Sequence, residues 1–340
     1  MLEPPGFSAT PIDFAEWLEL TALSRPNLTS GEGDLRSVLL GGPDDLAAYD
    51  GDSEALEEAA ESMVQAVFEE LEKRSRWAGL GYPFVIMGGS TITTRKGFRL
   101  RELAYLLSLL VSLYKSLSKE LRQSFPSADQ LEDLFQACGT IAAAGFVLGS
   151  SLNFGFPRAD GTSIYQKLKT LNELNNEGRV HLGWTEGVST RPKDAGVDII
   201  AWRTCPDKYP GQLYVLGQCA TGVNWQDDKA PVVDYNKFHE DFWARAPHSP
   251  VISLTLVPYD LRSSISQSLY DSLEEAYKWH RWSLGSAFGI VIDRFRLAYY
   301  FSRGLLLTRE HSLTVEGVSE LMQVRNWVRG GIEYIRINAS

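Results

Sequence analysis

Residues 194–225 constrain the fold of this chain more than any other segment. They read as two short apolar runs separated by a turn rich in Pro, Asp and Gly. The first spans Val197, Asp198, Ile199, Ile200, Ala201 and Trp202; the second runs from Leu213 to Cys219. Each carries one polar side chain that a buried strand tolerates poorly: Asp198 in the first, and Gln218 near the end of the second. Burying a carboxylate among Val197, Ile199 and Ile200 is costly unless it is paired or binds a metal. Two explanations stand side by side. Asp198 is a strand-end acid that closes a turn, or it faces Gln218 across the hairpin in a site that needs a charge.

The flanking elements have a definite order. Ile164, Leu168, Leu171 and Leu174 predict a helix over 162–175, with Thr162 or Ser163 as N-cap and Asn175, Asn176 and Gly178 as its stop. An extended stretch over 179–184 and a Gly/Ser/Pro loop lead to the Asp198 strand. After the second strand, 234–245 read as a helix with Phe238, Phe242 and Tyr235 on one face. Residues 251–257 follow as a near-continuous apolar strand closed by Pro258, the pattern of a strand buried on both faces. The order is helix, three strands, helix, strand, with the two helices covering the sheet.

Over roughly residues 160–260, this order resembles the αβββαβ core of the PD-(D/E)XK, or restriction-endonuclease-like, superfamily. The resemblance implies an α/β (α+β) fold and matches Asp198 to the metal-binding acid of the second strand. Gln218 stands where the third strand usually carries Asp or Glu. Ala220 stands where the superfamily has Lys, a departure that leaves the lysine to be supplied from elsewhere. Lys229 is the first candidate and Lys193 the second; a surface ion pair of Lys229 with Asp227 or Asp228 is the plainer alternative. Glu177 and Glu173 are the candidates for a further acid from the first helix. Asp198, the Gln218 side-chain oxygen and the Cys219 backbone carbonyl would then bind Mg²⁺ or Mn²⁺, ions that favour oxygen donors.

The function implied is a metal-dependent DNA endonuclease that hydrolyses phosphodiester bonds, in the setting of a bacterial restriction or antiphage defence system. Its partners would be DNA and a protein of a defence complex. Many nucleases of this fold cut duplexes as dimers, which admits a homodimer although no residue points to one. The alternative that Ala220 keeps open is a catalytically degenerate nuclease-fold subunit that binds a protein partner or nucleic acid. A third class, an unrelated α/β enzyme using Asp198 for other chemistry, is weakened because no GxSxG elbow, Walker loop or dinucleotide fingerprint follows a strand.

A chain of 340 residues exceeds that core and predicts three regions: a mainly helical one over 1–150, the α/β core over 151–260, and a helical one over 261–340. In the first, helices are expected over 54–74 and from a Ser127–Gln130 capping box to about Val147, with a short strand over 82–87 between them. In the last, helices are expected over 262–282 and 314–328, flanking a segment in which Arg294 and Arg296 contact phosphate or pair with Asp293 and nearby acids. Residues 103–117 are apolar but interrupted by Lys115 and too short to span a bilayer, so a buried helix is expected and no membrane partner. The net charge of −10 argues against indiscriminate DNA binding, which relies on counterion release by basic residues. Binding DNA would need a local basic surface or a partner. Cys138, Cys205 and Cys219 lack metal-site spacing and fit a reducing cytoplasm, and the five histidines form no pair at zinc-ligand spacing. Trp225, beside the small residues 217–222, either touches nucleic acid or anchors its loop in the core.

Overall fold

The computed structural model describes the chain except for residues 1, 7–8, 42–51, 124, 126–129, 156–160, 182, 184–195, 229–234, 263–271 and 339–340. In chain order its helices are α1 (Pro11–Ser24), α2 (Glu32–Leu39), α3 (Ser53–Ala78), α4 (Leu103–Ser116), α5 (Lys119–Gln123), α6 (Leu131–Val147), α7 (Ile164–Asn175), α8 (Trp225–Asp228), α9 (Tyr235–Phe242), α10 (Leu273–Phe288), α11 (Arg294–Leu307) and α12 (Leu321–Asn338). Its strands are β1 (Thr29–Gly31), β2 (Phe84–Met87), β3 (Thr91–Thr94), β4 (Ser150–Asn153), β5 (Arg179–Val180), β6 (Ile199–Arg203), β7 (Leu213–Cys219), β8 (Trp243–Arg245), β9 (Val251–Leu256) and β10 (Ile290–Ile292). The fold is mixed α/β.

Five strands form the central sheet in the order β10-β9-β7-β6-β4. β4, β6 and β7 are an antiparallel meander, with Ile199 opposite Gly217, whereas β9 runs parallel to β7 and β10 parallel to β9. The strands expected over 197–202, 213–219 and 251–257 are therefore neighbours in one sheet. The first helix and first strand differ from the expectation. The sheet's first strand is β4, led in by α6, while β5 pairs with β8 in a separate two-stranded ladder. β4 reads Ser-Ser-Leu-Asn and carries no apolar alternation, so the sequence holds no signal for it. α7 lies between β4 and β6 in the chain; its Ser163–Gln166 capping box and its buried Ile164, Leu168 and Leu171 stripe form as expected. The helix expected over 234–245 ends at Phe242, and Trp243–Arg245 form β8, paired with β5.

Side-chain alternation assigns the two sheet faces. Ile199, Ala201, Val215, Leu254, Leu256 and Ile292 face a core shared by α6, α11, α1, α3, α4 and α12, so helices from both ends of the chain pack into one cluster. Ile200, Trp202, Tyr214 and Leu216 face the opposite way, onto α7 and the Phe238 and Phe242 side of α9. α6 and α11 cross closely at two glycines: a Cβ at Gly145 would overlap the Tyr300 carbonyl oxygen, and one at Gly304 the Ile141 carbonyl oxygen. Gly139 brings α6 close to the sheet, since a Cβ there would lie 3.1 Å from Cys219 Sγ and from Ile199 Cδ1.

The strand expected over 82–87 forms as β2 in a small antiparallel sheet, and the helix over 103–117 forms as buried α4. Ser127 and residues 263–271 lie outside the described residues, so the proposed capping box and the start of the 262–282 helix fall there. The helix expected over 314–328 starts later, at Leu321. Residues 314–316 instead lie along the outer edge of β4, where Ser151 N donates to Thr314 O at 2.8 Å. Gly317, at φ 92°, then turns the chain against Ala137. No helix among the described residues is long and apolar enough to cross a membrane.

Candidate functional site

Asp198 sits at the mouth of the meander, immediately before β6, and is half-buried rather than enclosed by its apolar neighbours. The desolvation cost inferred from the sequence is thus smaller than for a fully buried carboxylate. Its backbone N–H donates to Gly217 O at 2.9 Å, although the ladder pairs Gly217 with Ile199, so the register slips by one residue at this end. Its Oδ2 accepts the Cys219 N–H at 2.7 Å. Asp198 therefore brackets Gln218, bonding the residues on either side of it. The strand-end role weighed from the sequence is real, and it fixes one carboxylate oxygen on the neighbouring strand.

Gln218 is buried, and its Nε2 donates to Thr255 Oγ1 on β9 at 3.1 Å; Thr255 in turn donates to Phe288 O at 3.0 Å. Cys219 is half-buried and Ala220 buried. Gly217 permits a tight approach of the strands, since a Cβ there would lie 3.3 Å from that of Ile199.

The first helix of the meander brings a residue that the sequence reading did not single out. Gln136, on α6, donates through Nε2 to the Asp198 carbonyl at 3.2 Å and to the Asn153 side chain. The same carbonyl accepts Phe154 N at 2.7 Å and Gly155 N at 3.1 Å. Gln136 thus ties α6 to the main chain at Asp198 and to the end of β4. The available signal was one half-buried polar residue in the apolar run of α6.

Glu177 and Glu173 are not brought to this place. Glu177 is buried at the opposite end of β7, where its oxygens accept Ser249 N, Ser249 Oγ and Gln212 Nε2, each at 2.7 Å. Gln212 precedes β7 and Asp198 meets its last residue, so the two acids lie about 20 Å apart along the strand. Glu173 is exposed on α7, 4.0 Å from Lys169. Their candidacy rests on 162–175 as the helix that leads into the meander, whereas α6 leads into β4 and α7 follows it. Lys193 and Lys229 lie outside the described residues. Lys167 binds Glu316 at 2.8 Å, and Glu316 accepts Asn153 N at the outer edge of β4.

Trp225 is buried against Phe288, with ring centroids 4.9 Å apart, which is the core-anchor reading. Arg294 is buried and pairs with Glu16 at 2.9 Å; Asp293 caps α11 and pairs with Arg281 at 2.7 Å. Among the described residues no group of three or more His, Cys, Asp or Glu side chains is placed to hold a metal ion. The chain matches no family model, and comparison with curated proteins and with solved structures finds no match.

Proposed function

We propose that the chain is a divalent-metal-dependent phosphodiesterase of the restriction-endonuclease-like kind, acting on DNA, with Asp198 as its anchoring ligand. One observation carries this reading: the order α6-β4-β6-β7-α9-β9, with an antiparallel β4-β6-β7 meander, β9 parallel to β7, and the acid of the second strand bracketing Gln218 near the end of the third. The donors at that place are hard oxygens suited to Mg²⁺ or Mn²⁺: the Asp198 carboxylate, the Gln218 amide oxygen and the Cys219 carbonyl. An ion held there would polarise a phosphate oxygen and acidify a water. The chain's own contribution is positional. The Cys219 N–H sets the Asp198 carboxylate, Gln136 and Asn153 brace the main chain behind it, and Gly217 keeps the strands close. A single carboxylate predicts weak ion affinity. Lys229 or Lys193 would supply the cation that Ala220 does not. The defence setting, a partner protein and a homodimer in a reducing cytoplasm belong to the same proposal.

Ala220, together with the lack of an acidic triad among the described residues, favours a second reading in which the same surface binds DNA or a protein without cutting. Supercoiled plasmid with Mg²⁺ or Mn²⁺ separates the two. Asp198→Asn is the informative variant, because its Oδ1 still accepts the Cys219 N–H and preserves the fold. Cleavage by the parent and not by Asp198→Asn supports the enzyme, with Lys229→Ala and Lys193→Ala identifying the cation. DNA retention in a gel shift without cleavage supports the binding subunit. Cleavage that survives in Asp198→Asn removes Asp198 from the site.

A further inference from the structure

A second place with the shape of a site lies away from Asp198. It is a cleft of about 790 Å³ between the C-terminal half of α3, the N-terminal half of α10 and the β10–α11 junction. It opens beyond the carboxyl ends of the parallel strands β9 and β10, where open α/β sheets place their ligands. Its volume lies in the range of small-molecule sites. The Trp225–Phe288 contact belongs to an apolar cluster between this cleft and the Asp198 edge, so the two places are separate.

In a chain of net charge −10 the lining is locally basic: six Lys and Arg side chains against three carboxylates. Two of the six are locked into the wall. Arg262 is held by Glu70 and Asp260 at 2.5 to 3.0 Å, and Arg281 by Asp293 at 2.7 Å and Val291 O at 2.7 Å. They consume the Glu70 and Asp293 charges. The other four, Lys73, Arg76, Lys278 and Arg296, are exposed on the rim, where Arg296 also donates to Val291 O at 3.1 Å. Lys73, Lys278 and Arg296 make no ion pair among the described residues, and Arg76 meets only exposed Glu72 at 3.7 Å. Beside them Trp77 is 41% exposed. The Arg262 guanidinium lies over its indole at 4.7 Å, and the ring packs edge-to-face with Phe295 at 5.6 Å, contacts that fix its orientation. An aromatic plate beside three cations that make no ion pair among the described residues, with only Glu274 left over among the lining carboxylates, matches a flat ring that bears phosphates.

The geometry points to a nucleotide-binding site in this cleft, with the base stacked on Trp77 and the phosphates on Lys73, Arg76, Lys278 and Arg296. The inference does not rest on the Asp198 reading. The probes are ATP, inorganic tripolyphosphate, adenosine and a short single-stranded DNA, titrated into the full chain by calorimetry. Saturable ATP binding is expected, with adenosine and tripolyphosphate each at least about tenfold weaker, since each supplies half of the contacts. Lys73→Glu combined with Lys278→Glu should weaken ATP by a further tenfold or more, with an unchanged melting temperature because both residues are exposed. Trp77→Leu should erase the preference for ATP over tripolyphosphate; Trp77→Phe, which keeps a stacking ring, should retain most of it. No saturable ATP binding at millimolar concentration overturns the proposal. So does ATP binding that the double charge reversal leaves intact, tripolyphosphate binding as tight as ATP, or uptake of the oligonucleotide alone.

Discussion

Glu177 gives the sharpest stability prediction, because the sequence casts it as a metal ligand and the structure casts it as a knot. Its carboxylate accepts three donors at 2.7 Å, from Ser249 N, Ser249 Oγ and Gln212 Nε2. Glu177, Ser249 and Gln212 are all buried, and Gln212 N donates back to Ser249 Oγ at 2.8 Å. The knot ties the end of α7 to the entries of β7 and β9. Glu177→Ala strands three buried donors, each costing about 1–3 kcal/mol. Relief of the carboxylate's own desolvation offsets part of that, and a net loss of about 3–5 kcal/mol is expected, the range for removing one partner of a buried charged cluster. For 340 residues, an unfolding entropy of about 2.1 cal/mol/K per residue converts this to a fall in Tm of about 4–7 °C. Thermal melts by circular dichroism in EDTA measure it. A fall under about 1 °C in EDTA, with a stabilisation by Mg²⁺ that only the parent shows, would refute the knot and restore Glu177 as a ligand.

Three further outcomes follow from particular contacts. Gly304→Ala forces a Cβ onto the Ile141 carbonyl at the α6–α11 crossing and should cost about 2–3 kcal/mol, read as a lower urea midpoint at unchanged slope. Glu102 is buried and its carboxyl is pushed up to about 7 by burial, against the opposing pull of Arg101 and Arg95. A raised folded-state pKa contributes stability below the unfolded value, about 4.5, that is lost as pH rises toward 7. Glu102→Gln should therefore be more stable than the parent at pH 8, by on the order of 1 kcal/mol after solvent screening, with the gap closing below pH 5. Asp198→Ala leaves the Cys219 N–H without its acceptor and should cost about 1–2 kcal/mol in EDTA, whereas Asp198→Asn should melt within about 1 °C of the parent.

What was legible in the sequence follows from where periodicity is strong. β6, β7 and β9 are apolar runs, and α3, α4 and α7 carry clear stripes, so each appears where the pattern places it. β4 was invisible because Ser150-Ser151-Leu152-Asn153 is recognisable as a strand only through its pairing with β6. Without β4, the sequence pattern makes α7 rather than α6 the helix before the meander, which points to Glu177 and Glu173 and not to Gln136. Asp198 and Gln218 were legible because each breaks an apolar run. The cleft was not, because Lys73 and Trp77 lie more than 190 residues from Lys278 and Arg296 and meet only through the packing of α3 against the C-terminal elements.

The central claim is that the Asp198 edge of the sheet is an ion site facing a phosphodiester. Crystals soaked in Mn²⁺ and measured at a wavelength where manganese scatters anomalously test it without requiring the right DNA. The account predicts an anomalous peak in bonding contact with an Asp198 carboxylate oxygen, shared with the Gln218 or Cys219 carbonyl and absent in Asp198→Asn crystals. Manganese bound elsewhere while Asp198 keeps its Cys219 contact would leave Asp198 as a strand-end cap and contradict the account.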